Sequence, residues 1–265
     1  MEEQVERLVD RAWEKYLEMP NDQRLLIAIA GIPGSGKPSP LTCFSLTITN
    51  LPFPFPLLGK TTLSQIIATR LNNLHATDSP FASLVTEIAT ALPMDGFHLT
   101  RAQLSAMPDP ELAHARRGAE FTFDGQGFYE LVKELRQPMT EESQTVWAPS
   151  FDHALKDPVE KGIEVAREVR VVVFEGNYLL LDQKPWSDAS KLMDLKFFVR
   201  VPFPVARKRL VKRHLAAGIA STPEEADKRA VENDLVNGEM IEKLLREDEV
   251  DEVVESMEDG KWVHT

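Results

Sequence analysis

Short apolar runs alternate along this chain with longer stretches in which apolar residues return every three or four positions. Leu25 to Ala30, Ile88 to Pro93, Val169 to Phe174 and Leu195 to Val201 read as buried strands. Between them, helical spacing runs through Leu63 to Leu71, Gly127 to Arg136 and Pro204 to Ala217, and Pro223 to Leu245 reads as one long helix. Near the start, Val5, Leu8, Val9, Ala12, Trp13, Tyr16 and Leu17 share one helical face, which predicts an amphipathic helix lying on the core. Strands that alternate with helices predict an α/β domain with a mostly parallel sheet flanked by helices.

Composition narrows the choice without changing it. With 43% apolar and 27% charged residues, 265 residues suffice for one large domain, or one domain with a small lid. A net charge of -12 argues against a general nucleic-acid binder. Part of the excess acid lies between Arg246 and Asp259, which reads as a solvated face. A single cysteine, Cys43, excludes an intramolecular disulfide framework. Together with an acidic start unlike a presequence, it gives a cytoplasmic expectation.

The strand Leu25 to Ala30 runs into Gly31-Ile-Pro-Gly-Ser-Gly-Lys37, a phosphate-binding loop in which Gly31, Gly34, Ser35, Gly36 and Lys37 would cradle a nucleotide. Pro38 stands where that motif needs a hydroxyl. The hydroxyls come later: Gly59-Lys60-Thr61-Thr62 opens the helical run, and removing Pro38 to Lys60 leaves an unbroken GIPGSGKTTLSQIIATRL. The segment between has no charged residue from Pro38 to Gly59. Its prolines, at 38 and 40 and again at 52, 54 and 56, leave only about a dozen residues able to form a helix, too few to cross a bilayer.

Reverse translation offers an origin for the segment. Gly36-Lys37 can contain a splice donor, Ile48-Thr49-Asn50 a branch site, Leu51 to Leu58 is necessarily pyrimidine-rich, and Leu58-Gly59 can contain an acceptor. A short intron retained in frame would also explain the repeated Gly-Lys at its edges. If the residues are translated, either Lys37 or Lys60 can reach the phosphates, and Thr61 reaches magnesium only if the excursion folds back.

Two further strands end in acids. Asp95, in Met94-Asp-Gly-Phe-His98, stands at the carboxyl end of a strand, where it can accept the proton of an attacking hydroxyl; a turn carboxylate beside Gly96 is the alternative. Glu175 ends Val171 to Phe174 and can hold magnesium opposite the loop hydroxyl. Arg207, Lys208, Arg209, Lys212, Arg213 and His214 crowd one helix of an otherwise acidic chain, as a phosphoryl-transfer site or a solvated helix face would. Arg116 and Arg117 form a second basic pair, and Asp152-His153 is a candidate contact for a polar substrate.

GIPGSGK, PMDGFHL, RRGAEFTFD, APSFDH, FEGNYLLL and ARKRLVKRH, in that order, resemble the phosphoribulokinase, uridine kinase and pantothenate kinase group of P-loop kinases. In particular the chain resembles the uridine-kinase-like branch that carries PMDGFHL and EGNYLL. The resemblance covers about Leu25 to Leu245. It implies ATP- and Mg2+-dependent phosphorylation of a hydroxyl on a small metabolite. Asp95 would be the general base, Lys37 or Lys60 the phosphate-binding lysine, and Thr61 and Glu175 the magnesium partners. Arg209 and Arg213 would be lid charges, with Thr62 beside the nucleotide. His98, Arg116, Arg117, Phe151, Asp152 and His153 would line the acceptor pocket.

The organisation expected is a helix over 1–24, a kinase domain over 25–250 interrupted at 38–60, and an acidic tail over 251–265. No membrane or nucleic-acid partner is expected, and a homodimer is compatible with the sequence. Two other readings stand beside the kinase. One is a nucleotide-fold protein with a binding or regulatory role, impaired by its broken loop. The other, a regulatory NTPase, is disfavoured by the lack of a guanine-reading N-K-x-D element.

Overall fold

The computed structural model describes residues 2–35, 60–78, 87–256 and 262–263. The expected phosphate-loop positions Gly36, Lys37 and Gly59, and the segment between them, lie outside the described residues. Its strands are β1 (Leu25–Gly31), β2 (Ala89–Pro93), β3 (Val146–Asp152), β4 (Asp157–Val165), β5 (Val171–Gly176), β6 (Leu195–Arg200), β7 (Glu252–Ser256) and β8 (Trp262–Val263). The helices are α1 (Glu2–Glu18), α2 (Lys60–Asp78), α3 (Arg101–Ser105), α4 (Pro110–Ala115), α5 (Gly125–Leu135), α6 (Trp186–Ser190), α7 (Phe203–Ala216), α8 (Pro223–Arg229) and α9 (Leu235–Lys243).

The main sheet has the order β2-β5-β1-β6-β7-β8, with β8 antiparallel and the other neighbours parallel. Every residue of β1 is buried, as a central strand covered on both faces requires. Its side chains alternate between two cores. Leu26, Ala28 and Ala30 join Phe128, Phe174 and Trp186, while Leu25, Ile27 and Ile29 join Leu8 and Ala12 of α1 and Ile67 and Leu71 of α2. Helix α1 therefore lies on the core as its periodicity predicts, although Leu17, counted on that face, is 65% exposed.

Two elements differ from the sequence reading. The acidic end does not leave the domain as a solvated tail at residue 251: Glu252 to Glu255 pair with β6, and Val254 and Ser256 are buried. Alternation of apolar with acidic residues over so few positions is a weak strand signal beside so dense a charge run. The long helix expected over Pro223 to Leu245 is divided by a π turn at Ala230–Asp234, which joins α8 to α9. Such a turn adds a residue to the helical cycle; Asn233 and Asp234 within it and Asn237 beyond it are buried.

Beside the sheet, β3 and β4 form a separate antiparallel hairpin. Among the described residues no helix is long and apolar enough to cross a membrane. Phe128 is fully buried, with Phe97, Phe174 and Trp186 rings 5.3 to 5.6 Å away. Phe128→Ala should therefore lower unfolding free energy by about 3–5 kcal/mol in urea titration.

Candidate active site

Parallel strands bring their carboxyl ends to one edge, and β1, β5 and β2 deliver the first parts of the site there. Pro93 of β2 is in register with Glu175 of β5, and Ala30 of β1 with Gly176. From this edge the chain turns through Ile32 to Ser35. Gly34 takes a φ of +84° against the backbone of Ala206, a conformation and a closeness that admit only glycine.

Lys60, the first residue of α2, is folded under that turn. Its Nζ donates to the carbonyl oxygens of Gly31 (2.7 Å) and Ile32 (3.1 Å), to Ser35 Oγ (3.1 Å) and to Asn177 Oδ1 (2.9 Å). Despite the interruption, Lys60 thus occupies the heart of the loop beside Ser35. The next residue, Thr61, donates its hydroxyl to Glu175 Oε1 at 2.8 Å. Thr62 Oγ1 is buried without a hydrogen-bond partner among the described residues.

These residues fit a nucleotide phosphate chain. The amino end of α2 favours negative charge, the lysine is held in place, and the Thr62 hydroxyl has a donor to spare. Thr61 and Glu175 offer adjacent oxygens to a hard cation such as Mg2+. Among the described residues no three His, Cys, Asp or Glu side chains cluster as a metal site, so the remaining ligands would come from phosphate and water.

Asp95 sits in a one-turn 3-10 helix, Met94–Phe97, directly after β2. Its carbonyl accepts from the His98 backbone N–H and lies 2.8 Å from His98 Nδ1, which fixes that ring. Gly96 packs on the β3–β4 hairpin so closely that a Cβ would overlap the Pro149 carbonyl. The hairpin thereby brings Phe151 within 4.9 Å of the His98 ring, and Phe123 lies 4.0 Å from the other side. The Arg117 guanidinium stands over Phe151 and pairs with Asp157 at 2.9 Å. Partial burial pushes the Asp157 carboxyl up, but the Arg101 backbone N–H and the Arg117 and Arg101 guanidiniums outweigh it, so it lies below its ordinary value.

Two of the expected acceptor contacts, Asp152 and His153, lie at the turn of the hairpin. Asp152 caps the hairpin turn, accepting from the backbone N–H groups of Leu155 and Ala154, which hold its carboxyl low. That is a turn role, local to β3–β4. His153 is beyond it, exposed and 5.3 Å from the Phe151 ring.

The basic helix α7 divides its charges. Arg209 Nη1 reaches the Gly34 carbonyl at 3.4 Å and Ser256 Oγ at 2.8 Å. Arg213, one turn on, donates to Asp234 Oδ1 at 3.2 Å, and His214 Nε2 lies 3.0 Å from Asp234 Oδ2. Arg207 instead forms an exposed pair with Asp227 of α8. Arg116 donates to Asn237 Oδ1 at 2.7 Å.

Sequence reasoning passes over Asn177, Asp234 and Asn237. A signal exists for the last two: Asn and Asp are poor interior helix residues, and they stand where the periodicity of Pro223 to Leu245 predicts unbroken helix. Tyr178 has no comparable signal. Its hydroxyl donates to the Gly118 carbonyl at 2.6 Å. Burial pushes its phenol well up, the charges of Glu120, Asp234 and Asp95 add to the rise, and Arg116 opposes it.

A lysine under a glycine turn, a threonine paired to a strand-end acid and a carboxylate on the next strand define a P-loop fold of the nucleotide-dependent kinase type. No family model matches the chain. It is 53% identical over 150 residues to the ATP-dependent kinase-like protein notR' of Aspergillus versicolor, covering 57% of this chain and 87% of that protein. With C227.14 of Schizosaccharomyces pombe, provisionally named a uridine kinase, it shares 39% identity over 237 residues, 89% of this chain and 86% of the other. A solved Silicibacter structure, provisionally assigned as a fructose transport system kinase, superposes with a TM-score of 0.70 at 30% identity, covering 94% of this chain and 98% of that one. The chain belongs to the uridine-kinase-like, ATP-dependent kinase-like family of P-loop proteins.

Lys60 lies at the phosphate-loop position, and Lys37 is outside the described residues. Lys60→Ala should weaken ATP binding by about ten- to a hundredfold, read as lost thermal stabilisation, and Lys37→Ala should leave it intact. The opposite pattern would return the position to Lys37.

Proposed function

We propose that this protein transfers the γ-phosphoryl group of ATP to a hydroxyl of a small metabolite. The observation that carries the reading is the meeting of Lys60, Thr61 and Glu175 under the loop, with Asp95 at the end of the adjacent strand. In this reading Lys60 and the first turn of α2 hold the phosphates, and Arg209 and Arg213 add positive charge where it is needed in the transition state. Thr61 and Glu175 hold Mg2+, which supplies charge neutralisation between the phosphates. Asp95 takes the proton from the acceptor hydroxyl as that oxygen attacks phosphorus. His98, Phe123 and Phe151 wall the acceptor side and keep water from competing for transfer.

A coupled assay of ADP release with a metabolite panel tests this. Asp95→Asn should reduce turnover by about 10²–10⁴-fold while ATP binding is kept. Full activity in that variant would remove Asp95 as the base.

The impaired-isoform reading rests on the sequence: the chain departs from the phosphate-loop motif at Pro38, before the hydroxyls of Thr61 and Thr62. Because Gly36-Lys37 repeats as Gly59-Lys60, deleting 37–59 or 38–60 gives the same uninterrupted chain. Equal ATP-induced stabilisation of the two forms is the expected outcome of the kinase reading. Stabilisation confined to the shortened form would make the longer one the impaired isoform.

A further inference from the structure

Three guanidinium groups converge on the turn from Arg116 to Gly118, and the phosphoryl-transfer roles above leave much of their bonding capacity unused. Arg116 donates through Nη2 to Asn237 Oδ1 at 2.7 Å, and Arg229 through Nη2 to the Arg117 carbonyl at 3.4 Å. Arg117 spans the Leu99 carbonyl at 3.1 Å, the Lys156 carbonyl and the Asp157 carboxylate. The Nε–H of all three is buried and has no acceptor among the described residues.

The nearby neutral acceptors are already engaged. Asn237 Nδ2 and the Tyr178 hydroxyl both donate to the Gly118 carbonyl, and Asn233 Nδ2 shares the Arg117 carbonyl with Arg229. Arg117 has a carboxylate partner in Asp157, whereas the hydrogen bonds of Arg116 and Arg229 run to neutral oxygens. Burying charged donors with bonds unmade is costly, and three at one turn call for an anion. Position points the same way, since the Arg117 guanidinium stands over Phe151, whose ring lies 4.9 Å from that of His98, and His98 Nδ1 is 2.8 Å from the Asp95 carbonyl oxygen. The turn that carries the cluster therefore lies on the side of the site that holds His98 and Asp95.

We propose that the acceptor is itself an anion, a hydroxylated metabolite whose carboxylate or phosphate is gripped by Arg116 and Arg229 while its hydroxyl faces Asp95. The proposal rests on the kinase reading of the same site and makes it narrower. Guanidinium forks match both oxyanions in geometry, and a neutral nucleoside or free sugar would leave Arg116 and Arg229, bonded among the described residues to neutral oxygens, without a charged partner. Asn237 and Asn233 position the cluster and do not read the ligand.

Calorimetry on the full chain tests it with probes on one skeleton: glycerate and glycerol 3-phosphate against neutral glycerol, with inorganic phosphate as the minimal anion and uridine as a neutral nucleoside. At least one anion should bind and glycerol should not. Its affinity should fall at least about tenfold in Arg116→Gln and in Arg229→Gln, and survive Lys60→Ala. Preference for glycerate marks a carboxylate acceptor, and preference for glycerol 3-phosphate or inorganic phosphate marks a phosphorylated one.

Arg116→Lys, which keeps the charge and loses the fork, should bind with intermediate affinity and guards against a folding defect in the glutamine variant. Anion binding lost in Lys60→Ala but retained in both arginine variants would assign the anion to the nucleotide loop and overturn the proposal. So would uridine or glycerol binding as tightly as the anions, or no anion binding at all. Arginine-dependent anion binding in a chain that neither binds nor turns over ATP would instead leave the anion site standing and remove the kinase reading.

Discussion

The site depends on one buried ammonium. Lys60 Nζ is surrounded by the Gly31 and Ile32 carbonyls, Ser35 Oγ and Asn177 Oδ1, so a single cation ties the end of β1, the loop after it, the start of α2 and the residue following β5. A charge taken this far from water is tolerable only when its donors are matched, and oxygens from separate stretches of chain match them. This is also why an excursion between Ser35 and Lys60 is compatible with an ordered site. Closing a loop of that length adds only a slowly growing entropic cost, and what matters is that its two ends return to the same ammonium.

Around that point the parallel sheet does the positioning. Because β1, β5 and β2 are adjacent and run the same way, their carboxyl ends place the loop, Glu175 and Asp95 at one edge without any long side chain having to reach. The opposite flank is supplied by β6 and β7 with α7, whose Arg209 crosses to the Gly34 carbonyl and to Ser256. The last described β-strands are thus not an appendage: Ser256 of β7 helps to fix an arginine beside the phosphate loop.

How much of this was legible in the sequence depended on whether the signal was local. Leu25 to Ala30 announces a strand buried on both faces, and Asp95 and Glu175 are legible because each stands at the end of an apolar run. The place of Lys60 was not, since two identical Gly-Lys pairs are locally equivalent in sequence. The capping role of Asp152 was not legible, because an Asp-His pair carries no record of the backbone N–H groups that the turn presents to it. The strand Glu252 to Ser256 was hidden by its charges: acids suit a solvated segment, but Glu252 pairs with Arg7 and Arg11 of α1, and Arg11 also holds Asp251. Those partners lie at the far end of the chain, beyond the reach of any periodicity.

The π turn at Ala230–Asp234 joins the two halves of the site. Asn233 and Asp234 lie within the turn and Asn237 just beyond it, and all three are buried. Asp234 then holds Arg213 and His214 on the α7 side, while Asn237, three residues later, holds Arg116 and the Gly118 carbonyl on the other. Residues three apart move together on a helix. One helical turn thus carries the partners of Arg213 and His214 on α7 and of Arg116 on the other side.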